Sequence, residues 1–223
     1  MREVLEKETL YEYAARQPDA VPLVGRAPVF VVNLPGGCGR VVVRHSMRGG
    51  WMAKVSKDLF VFPTRGFREL LASLRLRASG VSTPEVLAYV SYPLNLVLRR
   101  SDVATREIAN GHDLSVALAK ITDHAHRIMV LEAVAKLLRS LTQAGAHHGD
   151  LNLKNVLLTA GHGPELDAHV LDVDRVRFSS PGSPLVGKAN LDRLIRSLRK
   201  WRDNHELPYS AEDEEYLRLR SIE

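Results

Sequence analysis

Three oxygen-bearing side chains stand in order along one part of this 223-residue chain. Asp150 and Asn155 lie in "HHGDLNLKNVLL" (147–158), and Asp172 lies in "VLDVDRVRF" (170–178). Moving a phosphoryl group from ATP to a hydroxyl asks for little more than this: a carboxylate to position the attacking alcohol, and oxygen ligands for the metal that neutralises the phosphates. Mg²⁺ favours hard oxygen donors and takes only one or two of them from protein. Asn155 follows Asp150 by five residues, and Asp172 follows Asn155 by seventeen. Asp and Asn also collect in inert loops, where they cap and turn the backbone. At this level the stretch reads either as the centre of a phosphoryl-transfer site or as a polar loop.

The surrounding elements must position these groups. Residues 29–34 (VFVVNL) and 40–45 (RVVVRH) are β-branched runs on either side of "PGGCG", which reads as a hairpin turn. No helix and no "GK[ST]" follows that turn, as a phosphate-cradling loop would require. In "TRGFRELLASLRLRASG" (64–80), Phe67, Leu70, Leu71 and Leu74 recur at helical spacing, so they mark a helix with one apolar face, stopped at Gly80. Residues 81–100 read as two short strands separated by "SYPLN", and 101–110 as a connector. Helices are expected over 111–120 and 126–145, the second with Val130, Val134, Leu137, Leu138 and Leu141 on one face. Two brief strands (155–158 and 169–173) and a helix near "KANLDRLIRSLRKW" follow. A strand-rich part with one helix, then a helix-rich part carrying the Asp/Asn loop, predicts an α+β chain of two lobes.

Composition narrows the partners. Hydrophobic residues make up 45% and charged residues 26%, as in ordinary globular proteins. The N-terminal "MREVLEKETLYEYAARQ" is charged throughout and lacks the apolar core of a secretory signal. No apolar run reaches the ~20 residues that span a bilayer. A single cysteine, Cys38, rules out an intrachain disulfide and fits a reducing cytoplasm. The net charge of +5 calls for an anionic partner. Aromatic residues at 6%, none interleaved among basic ones, argue against nucleic acid.

"HGDLNLKNVLL" resembles the catalytic loop of protein-kinase-like enzymes, H-R-D-L-x-x-x-N, and "LDVD" resembles their D-F-G motif. The resemblance is tighter to the lipopolysaccharide kinases of the Kdo/WaaP family, above all to the kinases acting on 3-deoxy-D-manno-octulosonic acid (Kdo). "RHSMRGG" (44–50), "RGFRE" (65–69), "TREI" (105–108) and "DVDR" (172–175) mirror elements of that family in the same order, so the match runs from about residue 25 to 200. It implies one bilobal kinase-like catalytic domain, residues 1–223. Its N-lobe of antiparallel sheet with one helix would cover about 20–104, and its reduced, mainly helical C-lobe about 107–223.

Position by position, the resemblance implies Asp150 as catalytic base or positioner, Asn155 and Asp172 as Mg²⁺ ligands, and His148 as a structural support of the loop. Glu69 matches the helix glutamate that pairs with a phosphate-binding cation. That cation is Arg44, at the end of "VVVR", or Lys54 in "WMAKV"; the strand pattern favours Arg44, whose guanidinium would grip phosphate in bidentate fashion. Lys154 would stand near the γ-phosphate. Thr105 and Glu107, in the connector, would line the adenine, and "GRAP" (25–28) would replace the glycine loop. Gly149, Asn152 and Asp174 depart from the protein-kinase pattern, and no A-P-E follows; these departures point away from protein substrates. The implied acceptor is a lipid-linked anionic sugar, Kdo or alternatively heptose or another small molecule. The implied place is the cytoplasmic face of the inner membrane, in peripheral contact. A non-catalytic pseudokinase binding module is the other reading.

Overall fold

The computed structural model describes residues 8–23, 29–33, 37, 39–47, 58–161, 163 and 165–221. The chain divides into two compact units: Met1–Leu74 with Pro84–Glu107, and Arg75–Thr83 with Ile108–Glu223. The described elements give the α+β, kinase-like architecture that the sequence implies: an antiparallel sheet with one long helix in the first unit, mostly helix in the second.

The first unit contains α1 (Leu10–Ala15), β1 (Val21–Leu23), β2 (Val29–Asn33), β3 (Arg40–His45), β4 (Phe60–Val61), most of α2 (Arg65–Ala78), β5 (Val86–Pro93) and β6 (Leu98–Arg106). The six strands form one antiparallel sheet, ordered β1-β2-β3-β6-β4, with β5 also paired to β6. β2 and β3 pair from Phe30↔Val43 to Asn33↔Arg40, which is the expected hairpin; Gly37 and Gly39 in its turn take positive φ.

Alternation along the strands sorts the chemistry between two faces. Val41 and Val43 of β3, with Ala104 of β6, are fully buried against Leu10 and Ala14 of α1. By the same period-2 rule Arg44 points to the opposite face, where α2 lies. Helix α2 reaches the sheet closely because position 66 is glycine: a Cβ there would stand 2.7 Å from Val103 Cγ2 and 3.0 Å from the Tyr89 ring. Thr64 opens the helix, its buried hydroxyl accepting from the Phe67 N–H at 3.3 Å.

Several expectations change here. The helix over 64–80 is present, but its buried residues are Gly66, Glu69, Ala72, Ser73 and Leu76, whereas Leu71 and Leu74 are more than half exposed. Close approach to Val103 and Tyr89 requires glycine at position 66, and the buried arc that continues from it takes in Leu76 but leaves Leu71 and Leu74 outward. The 81–100 hairpin turns at residues 94–97 rather than at "SYPLN", and β6 runs on through Arg106, absorbing half of the expected connector. Central pairing with both β3 and β5 keeps the polar sequence "SDVATR" in a strand.

The second unit contains β7 (His112–Asp113), α3 (Leu114–Ala119), α4 (His124–Gln143), β8 (Ala146–His148), β9 (Val156–Ala160), β10 (Leu166–Val170), β11 (Val176–Phe178), α5 (Pro184–His205) and α6 (Ala211–Arg220). The α4 residues Val130, Val134, Leu137, Leu138 and Leu141 are all buried, each contributing about 1.5–3 kcal/mol of gross burial. Leu194, Ile195 and Leu198 of α5 are buried likewise. Helix α4 ends into Gly145 at φ +64, where a Cβ would meet the Ser179 carbonyl at 2.5 Å. The chain then enters β8, which pairs with β11. Neither of these three-residue strands is legible by periodicity, and α1 and α6 are likewise additions to the sequence reading.

Candidate active site

The Asp/Asn loop begins where β8 ends, and β8 is held from α5. Asn190, fully buried, donates to the Ala146 carbonyl at 2.8 Å and accepts from the His148 N–H at 2.9 Å. A single amide thus satisfies an acceptor and a donor along one edge of a short strand, groups that would otherwise be buried unpaired. The sequence carried a signal for it. Asn190 interrupts the stripe Val186, Leu194, Leu198, where α5 is otherwise apolar.

His148 is fully buried and bridges two segments. Its Nδ1 accepts from the Asp150 N–H at 3.2 Å, which leaves Nε2 to donate to the Leu171 carbonyl at 3.0 Å. That bonding assigns the tautomer. Burial pushes the imidazole's pKa down, against the upward pull of the Leu171 carbonyl and of Asp172, Asp150 and Asp174. The ring is a neutral bridge between the loop and the residue that precedes Asp172.

The rest of the frame is backbone. The Asp150 carbonyl accepts from Asn152 Nδ2 and from Asn155 Nδ2, both at 2.9 Å. The Leu171 N–H donates to the Asn155 carbonyl at 2.9 Å. Asn155 therefore spends its amide nitrogen on the loop and presents Oδ1 as its acceptor end. Asp172 adopts the left-handed region (φ 54, ψ 51), and its carboxylate does not cap the turn that follows. Asp tolerates that region better than most non-glycine residues, and backbone held there recurs at functional sites. An amide oxygen and a carboxylate form the donor set Mg²⁺ takes alongside phosphate and water. Among the described residues no group of three or more His, Cys, Asp or Glu could itself hold a metal ion. A site completed by phosphate oxygens does not need one.

Lys154 is restrained in the same unit. Its Nζ lies 3.1 Å from Asp113 Oδ2 and 4.9 Å from the centre of the Trp201 ring. Asp113 caps α3; burial works to raise its pKa, but bonds from Ser115, Lys154 and the Val116 N–H leave it below the usual carboxylate value. Asn152, which stands where many kinases place a phosphate-binding lysine, accepts from the Lys154 N–H at 2.9 Å and so is a turn former.

In the first unit, Arg44 of β3 forms an ion pair with Glu69 of α2, and Glu69 is 9% exposed. Lys54, the alternative cation, lies outside the described residues, as does "GRAP" (25–28). Thr105 is buried within β6, paired with Val42 and Val86. Glu107 donates its N–H to the Arg40 carbonyl at 3.0 Å and pairs its carboxylate with Arg40 Nε at 2.7 Å.

Sequence reasoning missed the other charged group of this unit. Asp102, fully buried on the α1 face of β6, accepts from His45 Nδ1 at 2.5 Å, the Tyr92 hydroxyl at 3.0 Å and the Tyr11 N–H at 2.9 Å. The hydrogen bond to Asp102 raises the His45 pKa, burial opposing, with Asp58 adding to the rise. The network fastens α1 to the sheet. An acidic residue inside an otherwise small and β-branched central strand was the available signal.

Comparison with known proteins gives the family and the fold. Residues 30–217 match the profile of the lipopolysaccharide kinase (Kdo/WaaP) family. Enzymes named 3-deoxy-D-manno-octulosonic acid kinase are similar across most of the chain. The one from Vibrio vulnificus (strain YJ016) is 28% identical over 193 residues, covering 85% of this chain and 77% of its own length. The one from Stenotrophomonas maltophilia (strain K279a) is 32% identical over 203 residues, covering 88% and 75%. Among solved structures, WaaP in complex with acyl carrier protein superimposes with a TM-score of 0.63 at 18% identity, covering 99% of this chain and 85% of that one.

Proposed function

The chain belongs to the lipopolysaccharide kinase (Kdo/WaaP) family of core sugar kinases, and from that premise we propose that it transfers the γ-phosphoryl group of ATP to a Kdo hydroxyl of a lipid-linked lipopolysaccharide precursor. The observation that carries the reading is the hydrogen-bonded frame of His148, Asp150, Asn155 and Leu171. It ties together the backbone segments that carry Asp150, Asn155 and Asp172, which supports a shared role for their oxygen-bearing side chains.

In this reading Asp150 aligns the sugar hydroxyl and takes up its proton as the oxygen attacks. Asn155 Oδ1 and the Asp172 carboxylate hold Mg²⁺, which when bound would neutralise charge on the phosphates. Arg44, fixed by Glu69, grips phosphate oxygens through its fork of N–H donors. Lys154, its direction set by Asp113, supplies a second cation. Thr105 and Glu107 mark the segment beside the adenine. The acceptor is lipid-linked and anionic and the chain carries a net charge of +5, which supports peripheral attachment at the cytoplasmic face of the inner membrane. No described helix is long and apolar enough to cross a membrane.

The test is direct. The purified chain, with ATP and Mg²⁺, is given a Kdo-bearing lipid and, separately, a heptose-bearing core acceptor. The expected product is the Kdo lipid heavier by one phosphate, its position read by NMR, with no gain for Asp150→Ala. Gain only on heptose would move the acceptor assignment. Mg²⁺-dependent thermal stabilisation by ATP with no transfer to either would leave a nucleotide-binding module instead of an enzyme.

A further inference from the structure

We propose that the outward face of α2, with the adjoining end of β4, is the surface by which this protein docks on an anionic lipid bilayer. Position by position the helix turns 100°, and its buried residues (Gly66, Glu69, Ala72, Ser73, Leu76) occupy one arc of about a third of the circumference. The opposite arc carries Phe67, Leu70, Leu71 and Leu74. Leu71 and Leu74 are 52% and 56% exposed. Arg68 and Arg75 run along one flank of this stripe and Arg77 along the other, all three exposed. Arg75 also lies 4.0 Å over the Phe178 ring, and Arg77 Nη1 donates to the Thr83 carbonyl at 3.3 Å, so Arg68 is the flanking charge on which lipid contact rests. Phe62, 56% exposed, extends the stripe: its ring lies 5.0 Å from that of Phe67. Val61 beside it is 54% exposed.

Charge decides the occupant. Between Leu59 and Pro84 the sequence has four arginines and one acidic residue, Glu69, and that residue is buried and paired with Arg44. The outward face of α2 is therefore apolar and cationic with no carboxylate among the described residues. Single exposed leucines are ordinary on soluble proteins. A continuous apolar stripe flanked by basic residues is the pattern of helices that lie in the bilayer interface, where apolar side chains enter the acyl boundary and guanidinium groups meet lipid phosphates. A convex helix face suits a planar surface, and the proposed acceptor is itself embedded in one. The inference rests on the peripheral attachment in the proposed function and assigns it a face.

The experiment is co-sedimentation of the full chain with phosphatidylglycerol-containing and with pure phosphatidylcholine vesicles. It runs beside phosphate transfer to a soluble, deacylated Kdo acceptor. Leu71→Glu/Leu74→Glu should weaken binding to the anionic vesicles by about tenfold or more, and Arg68→Glu by about fivefold or more. The charge-matched Leu185→Glu/Leu219→Glu, on exposed leucines of the second unit, should bind as the wild type does. Transfer to the soluble acceptor should be unchanged in all three, which also shows that they fold. If the wild type binds anionic vesicles and the α2 variants bind equally well, the face assignment is wrong while peripheral attachment stands. If the wild type binds no vesicle, attachment itself is wrong, and the soluble-acceptor assay still reports on the kinase reading. Equal binding to neutral vesicles would overturn the electrostatic part. A dimer in solution that Leu71→Glu/Leu74→Glu dissolves would give the face to a second copy of the chain.

Discussion

In the sheet unit, charges are held by other charges: Arg44 by Glu69 on one face, and His45 by a fully buried Asp102 on the other. In the helical unit, Lys154 pairs with Asp113, but the backbone that carries Asp150, Asn155 and Asp172 is held by neutral partners: an imidazole, three asparagine amides and backbone carbonyls. A buried ion pair is expensive to desolvate, and loss of one partner strands the other. A neutral frame carries no such liability, so a carboxylate set in it can be changed without disturbing the frame. The first unit should therefore lose stability where its charges are altered, and the second should lose chemistry.

The largest effect tests the second half of that contrast. Asp150→Asn keeps the backbone N–H and carbonyl that His148, Asn152 and Asn155 use. Phosphate transfer should fall by about 10³-fold, the range for removing a general base, with the melting temperature nearly unchanged. A large drop in stability would mean that the side chain, and not the frame, organises the loop. The first half is tested by Asp102→Ala, which removes the acceptor shared by His45, Tyr92 and the Tyr11 N–H. Urea denaturation should show a loss of about 3–5 kcal/mol, and the Leu10 and Tyr11 amides should exchange faster as α1 detaches. Smaller again is Glu69→Gln, which loosens Arg44 without removing it. ATP affinity should weaken by about 10- to 100-fold, as expected for losing a charge-assisted hydrogen bond. An unchanged affinity would shift the phosphate-gripping role to Lys54.

The same contrast explains which parts were legible in the sequence. The β2–β3 hairpin announces itself by β-branched runs on either side of a glycine turn, and α4 by a long apolar run of period 3.6. The site offsets were legible because Asp150 and Asn155 are local and Asp172 closes the next hairpin, β9–β10. The buried face of α2 was misread because hydrophobicity predicts burial only where the neighbour leaves room. Gly66 lies against Val103 and Tyr89, Ser73 bonds to the Pro84 carbonyl, and Leu71 and Leu74 are left outside. β8 and β11 have no pattern of their own, since each exists through pairing across some thirty residues and through the Asn190 amide. Asp102 gave a signal as an acid within a strand, but its role was not legible: its three donors come from three separate segments, which only the fold assembles.

The smallest effect is a matter of sign. Hydrogen bonding to Asp102 raises the His45 pKa above its unfolded value of about 6.5. Its contribution to stability is therefore fully present below that pH and is lost as pH rises through the folded-state pKa. Burial lowers the pKa of His148. Its folded form resists the proton that the unfolded chain accepts, so its contribution is present above about pH 6.5 and is lost as pH falls toward the folded-state pKa. Urea midpoints measured across this range should decline on both sides, the alkaline decline coming from the sheet unit and the acid one from the loop. Asp102→Asn should flatten the alkaline side alone. His148→Gln should flatten the acid side in part, because His169, also lowered by burial, acts in the same direction. Were both variants to flatten the same side, the charged and neutral holding schemes would not be separate.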